Sequence, residues 1–193
     1  MFEQEGFYED EQFSGLKLES QTIKSVDFQG CEFKNCSFVE AIFEKCCFES
    51  CVFHNCNFSL AKVRQSGFTD SKFVNSKLVG IDWTEMNTAA PIKFNFEACN
   101  ISNSSFFGMT CPDAIMTSCE AVASVFSEAL FMNSNFSGTN FEQATFVHSD
   151  LSKADFSEAK NYSINPAIVK IEKATFSLPE AMSLLSGLGI VLK

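Results

Sequence analysis

Tryptophan occurs once and tyrosine twice in this 193-residue chain, against 23 phenylalanines, so its aromatic content is almost wholly apolar. No apolar run approaches the roughly 18 residues of a membrane-spanning helix, and no membrane partner is expected. The opening MFEQEGFYEDEQF lacks the basic-then-apolar order of a signal peptide, so the expected location is cytoplasmic, where thiols stay reduced. Nine cysteines, an odd number, argue against a complete disulfide framework. There are two histidines, His54 and His148, and no glycine-rich phosphate loop, HExxH or GxSxG. No catalytic residues, metal ligands or cofactor are read from such a chain, and an enzyme is not expected. Lysine and arginine are absent from Phe94 to Ser152, a stretch that carries the acids Glu97, Asp113, Glu120, Glu128, Glu142 and Asp150. With a net charge of −10, the surface repels nucleic acid and attracts basic partners.

What the chain does have is a period of five. From Leu18, every fifth residue to Trp83 is large and apolar: Ile23, Phe28, Phe33, Phe38, Phe43, Phe48, Phe53, Phe58, Val63, Phe68, Phe73 and Leu78 lie between. Two residues before each centre runs a mostly small register, including Cys31, Cys36, Ala41, Cys46, Cys51, Cys56, Ser66, Ser71 and Ser76. The period breaks at 84–95 and resumes in a new phase from Phe96 to Phe156. Five fits neither a helix nor a plain strand. It fits a chain that turns a corner every five residues, with centre and small residue inward and three residues outward. Four sides close a square coil of 20 residues, and coils stack through parallel ladders about 4.8 Å apart.

The register decides the meaning of CCFESCVFHNC at 46–56, which by itself suggests a metal or redox site. Cys46, Cys51 and Cys56 fall on three successive sides, roughly 10 Å apart, too far for one zinc ion. His54 follows the centre Phe53 and should face solvent. Stacked pairs such as Cys31 and Cys51 lie close enough for a disulfide, but in-register side chains point the same way, and small buried filler is the expected role. The same 20-residue spacing stacks Asn35, Asn55 and Asn75 at one corner, and Lys24, Glu44 and Arg64 on one face.

A solenoid needs capped ends. Ser177 and Glu180 form a capping-box pattern, with Pro179 between them, ahead of an expected α-helix whose apolar face is Ala181, Leu184, Leu185 and Leu188. That face, with Ile190 in the tail, is the expected two-fold interface of a homodimer. The organisation is therefore an N-terminal cap (1–17), a first repeat block (18–83), a break (84–95), a second block (96–156), and a C-terminal turn, helix and tail (157–193). If Phe96 takes the side after Trp83, then Asp27, Glu49, Asp70, Glu97, Asp155 and Glu158 share one face.

These repeats resemble the pentapeptide-repeat family, whose pattern is a small residue, any residue, Leu or Phe, and two polar residues. The resemblance covers about residues 18–156 and implies an all-β, right-handed quadrilateral parallel β-helix. The ending NYSINPAIVKIEKATFSLPEAMSLLSGLGIVLK is similar to that of the quinolone-resistance and microcin-immunity members of the family. That similarity implies a dimeric acidic rod that mimics DNA and binds bacterial type II topoisomerases, DNA gyrase or topoisomerase IV, protecting them from or modulating their response to poisons. The partner-binding residues would then be the six acids of the conditional face with Asp113, Glu120, Glu128, Glu142 and Asp150. The alternative is a repeat scaffold for another protein partner, with no gyrase role.

Overall fold

The computed structural model describes residues 2, 5–89 and 92–188. The five-residue register becomes a right-handed, four-sided parallel β-helix. Three-residue strands such as Asp27–Gln29, Cys47–Glu49 and Val52–His54 each bury their central residue and turn its neighbours outward. The four sides are named here by their centres. Side 1 holds Tyr8, Phe28, Phe48 and Phe68, and side 2 holds Phe13, Phe33, Phe53 and Phe73. Leu18 and Phe38 begin side 3; Ile23 and Phe43 begin side 4.

The corner lies two residues after each centre, where the backbone is left-handed even without glycine: φ is +53° at Asn35 and Asn55, +51° at Asn75, +60° at Leu60 and +55° at Lys45. Each such residue costs on the order of 1 kcal/mol. The cost is offset because the corner turns each N–H onto the next coil: Asn35 donates to the His54 carbonyl (2.9 Å), Lys45 to Arg64 (2.9 Å) and Leu60 to Val79 (2.8 Å).

The small register has a second task besides leaving room. Its backbone N–H would be orphaned at the bend, and a hydroxyl one coil above accepts it. Ser66 Oγ accepts from the Cys46 N–H (3.0 Å), Ser71 from Cys51 (3.1 Å), Ser76 from Cys56 (3.0 Å) and Thr139 from Cys119 (3.1 Å). The Cys46, Cys51 and Cys56 thiols sit 3.4 Å from the carbonyls of Ile23, Phe28 and Phe33. Next to this register the centres stack: Phe28 on Phe48 at 4.8 Å, Phe48 on Phe68 at 4.7 Å and Phe53 on Phe73 at 4.5 Å, all near parallel.

The break changes the ladder offset once. Phe73 pairs with Phe96, 23 residues on instead of 20, and from there Phe96 pairs with Met116. Phe96 therefore lies on side 2, not on the side after Trp83, because 84–95 takes up the whole of side 1. The condition for a single face of six acids is not met. Asp27, Glu49 and Asp70 belong to side 1, whereas Glu97, Asp155 and Glu158 follow side 2.

At the C-terminus, Phe176 stacks on Phe156 at 5.1 Å, and a helix follows over Glu180–Leu188. It is a 3-10 helix in place of the expected α-helix, with Met182 donating to the Pro179 carbonyl at 3.0 Å. The expected capping side chains serve the preceding coil instead of the helix. Ser177 Oγ accepts from the Glu158 N–H (3.1 Å) and Glu180 Oε1 from the Asn161 N–H (3.3 Å), closing amides that a further coil would have taken.

Replacing Ser76 by alanine removes the acceptor of the Cys56 N–H in a fully buried position and should cost about 1–3 kcal/mol. Chemical denaturation measures this; an unchanged midpoint would refute the role given to the small-register hydroxyls.

Candidate functional site

The interior is filled by stacked side chains, so any recognition takes place on outward positions. Among the described residues no group of three or more His, Cys, Asp or Glu could hold a metal ion. All nine cysteines are free, and eight are buried. Burial pushes the thiols of Cys51, Cys111 and Cys119 up to about 12 and that of Cys99 to about 11. Cys47, half-buried on side 1, is also raised, by burial first and then by the charges of Asp27 and Glu49. None of these five thiols is activated as a nucleophile; buried Cys36 shifts the other way, down to about 7, through its hydrogen bond with the Cys56 thiol. His148 occupies a left-handed corner at φ +58°, and His54 is partly exposed with Nε2 3.6 Å from Glu32.

The stacking expected at the surface is present in part as direct bonds. Asn55 Nδ2 donates to Asn35 Oδ1 at 3.4 Å, and Lys24 pairs with Glu44 at 2.8 Å. The Lys24 contact holds the Glu44 carboxyl below the usual range.

The acids distribute over all four sides, with different company. Glu97 pairs with Lys72 at 2.7 Å across the break, and Asp150 lies 3.5 Å from Lys170. Glu120 accepts from Asn140 Nδ2 at 2.8 Å on side 3, which also carries Glu142. Glu128, Asp113 and Glu158 stand at left-handed corners, and Asp155 caps a turn by accepting from the Ser157 N–H at 2.8 Å. Side 1 of the first four coils differs. Its outward positions hold Glu9, Asp10, Asp27, Glu49 and Asp70, all exposed, and no lysine or arginine. This base-free wall gathers Asp27, Glu49 and Asp70, and adds Glu9 and Asp10 from the stretch expected to be the N-terminal cap.

Of the expected dimer-interface residues, Ala181, Leu184 and Leu185 are half-buried on the C-terminal helix, with Leu184 packed on the chain's own core and Met182 exposed beside them. Leu188 is described as helix backbone only, and Ile190 lies outside the described residues.

The acidic wall ends at the break. Strand Gly67–Thr69 is the last of its ladder among the described residues. The chain still follows side 1 at Asn87, whose N–H donates to the Ser66 carbonyl (3.0 Å), but Thr88, where a centre would fall, is exposed. Met86 and Phe94 turn inward instead. A notch of about 610 Å³ opens there, lined by Lys45, Gly67, Phe68, Asn87, Thr88 and Ile92 among others, so a base from the neighbouring corner stands at the end of the acidic wall. A second notch, of about 560 Å³, lies on the far side of Ile92 towards Met109 and Thr110. The sequence signal for this gap is Thr88, a polar residue at a centre position.

Family patterns described as "Pentapeptide repeat region" and "Pentapeptide repeats (8 copies)" match residues 26–106 and 124–160. Among curated proteins none matches the sequence. Two solved structures of trypsin-treated QnrB1, a plasmid-mediated fluoroquinolone resistance protein, share the fold. One superposes with a TM-score of 0.77 at 16% identity, covering 94% of this chain and 100% of that one. The other gives 0.66 at 17% identity, covering 98% and 92%.

In the native protein, a thiol reagent should modify Cys47 readily and the buried cysteines slowly, with all nine reacting after denaturation. Several fast native thiols, or fewer than nine when denatured, would contradict the packing role of the cysteines.

Proposed function

The chain belongs to the pentapeptide-repeat family, and we propose that it binds a bacterial type II topoisomerase, DNA gyrase or topoisomerase IV, in place of duplex DNA. Bound in this way, it modulates the enzyme or protects it against quinolones or gyrase-poisoning toxins. The observation that carries the reading is the base-free acidic wall of side 1 on a rod that shares the QnrB1 fold over nearly its whole length.

Magnitudes favour this wall over the molecule's net charge as the basis of mimicry. Four coils at about 4.8 Å each rise about 19 Å, and one DNA strand carries roughly six phosphates in that length. Side 1 offers five carboxylates there. A net charge of −10 spread over four sides would be too dilute, but one side carries charge at close to the density of a single strand. A homodimer joined through Ala181, Leu185 and Met182 at the C-terminal helix would double the length of the rod. Its place of action on this reading is the cytoplasm, with its topoisomerase partner.

Supercoiling by purified gyrase, with and without a fluoroquinolone, alongside a pull-down, tests the proposal. The expected result is binding and a changed drug response, weakened at least about tenfold by the double reversal Glu49→Lys and Asp70→Lys, and by added salt. Absence of binding and of any effect on supercoiling or drug response would overturn it. Light scattering should report a particle of about twice 21.4 kDa at micromolar concentration; a monomer would refute the dimer.

A further inference from the structure

We infer that side 4 above the break is a docking strip for an amphipathic α-helix of a partner protein, one whose narrow apolar face is edged by lysine or arginine. The strip runs over the outward residues Phe107, Val125 and Val147 and ends at Ile168. It lies on a different side of the rod from the acidic wall, so it is a second recognition surface and does not rest on the topoisomerase reading.

Side 4 changes character along the rod. Below the break its outward positions carry Lys24, Glu44 and Arg64, with Lys24 on Glu44 at 2.8 Å. Above it the same positions are Phe107, Ser127 and Val147. They stack because the neighbouring corners, Gly108 and Glu128, donate to the Ser127 and Val147 carbonyls at 3.0 and 2.8 Å. Ser105, Val125 and Thr145 form the parallel bridges of this side. Phe107 is 48% exposed and Val147 44%; Ile168, which shares a notch of about 560 Å³ with His148, is 42% exposed and carries the strip onto the next coil. Outward residues gain little from the core, and the corresponding positions of side 2 hold Thr117, Ser137 and Ser157. The hydroxyls within the strip are already paired: Ser127 Oγ donates to Thr145 Oγ1 at 3.1 Å, and Ser105 Oγ accepts from the Phe107 N–H at 3.5 Å. Covering the strip leaves these pairs intact, which lowers the cost of docking. A contiguous apolar patch of this kind marks an interaction surface.

Size, pitch and charge decide the occupant. Three extended residues between corners make each side roughly 10 Å wide, about the diameter of one helix. Phe107 and Val147, two coils apart, are separated by roughly 9.6 Å, and helix residues seven apart by about 10.5 Å, so one helical face meets both. Four coils give a strip of roughly 200 Å², far below the roughly 800 Å² per partner of a stable interface, so a second copy laid flat on this side does not fit the requirement. A helix reaches past the strip with its long side chains. What they meet is acidic: exposed Glu128 stands at one edge, at the corner beside Ser127, and exposed Glu142 beside the other, next to the Gln143 corner. No lysine or arginine occurs from Phe94 to Ser152. Bases stand only towards the ends of the strip, Arg64 two coils below Phe107 and Lys160 and Lys170 near the coil of Ile168. The basic edges of the partner helix therefore lie over Phe107–Val147.

An NMR titration of the full chain with the capped amphipathic peptide KKLAKLLKKLAKLL tests the inference, in about 0.15 M salt to screen purely ionic contacts. The amide resonances of Phe107, Ser127 and Val147 should shift, with an affinity on the order of 10 μM. Those of Glu49 and Asp70 on the acidic wall should shift less. The double substitution Phe107→Ser and Val147→Ser should weaken binding at least about tenfold and leave the unfolding midpoint unchanged, because both side chains point outward. Glu128→Gln should weaken it less, and the acidic counterpart EELAELLEELAELL should not bind. Shifts as large on the wall as on the strip, unaltered affinity in the double variant, or equal binding of the acidic peptide would each overturn the proposal. So would concentration-dependent shifts at the strip without peptide, which would assign it to a second copy. Binding to vesicles of phosphatidylcholine and phosphatidylglycerol that the double variant loses would assign it to a membrane, with the same result. None of these outcomes depends on whether gyrase binds.

Discussion

Most backbone hydrogen bonds in this protein run between coils, 19 to 24 residues apart in sequence, and the left-handed corner is what allows it. A residue at φ near +55° is unfavourable by itself. Here it recurs every five residues, and at most corners it delivers an amide to the coil above. Most other features follow from this arrangement. Centres must be large to fill the square, small-register residues must be small to let the chain bend, and a hydroxyl in that register relieves the amide the bend would strand. Neighbouring coils supply nearly every contact, so local composition can vary widely as long as the spacing holds.

Fold and site were legible to different degrees for that reason. Inward positions are constrained at every step, so the run from Leu18 to Trp83 declared the four-sided coil from residue types alone. The same register placed Cys46, Cys51 and Cys56 as small inward packing residues, and all three are buried. Which side resumes after 84–95 could not be read, because a break of that length is compatible with more than one side. Only the pairing of Phe73 with Phe96 decides it, and it redistributes the six acids grouped on the assumption that Phe96 follows Trp83 directly. The C-terminal helix was legible in position but not in type. Ser177 and Glu180 satisfy the local rule for a capping box, yet the open amides of Glu158 and Asn161 compete for the same oxygens and take them.

Outward positions carry little local signal, and function on this fold is written there. The wall of Glu9, Asp10, Asp27, Glu49 and Asp70 draws on four coils, so no single stretch of sequence displays it. It emerges once residues 20 apart are read as neighbours.

The single offset of 23 among offsets of 20 has a consequence for how such a chain can change over generations. Gain or loss of 20 residues within either block lengthens or shortens the rod by one coil and leaves every side with its own residues. Gain or loss of five rotates everything downstream by a quarter turn, carrying acids and corners to new faces. Length is therefore inherited in coil-sized steps, while the break acts as the phase mark that sets how the two halves are turned relative to each other.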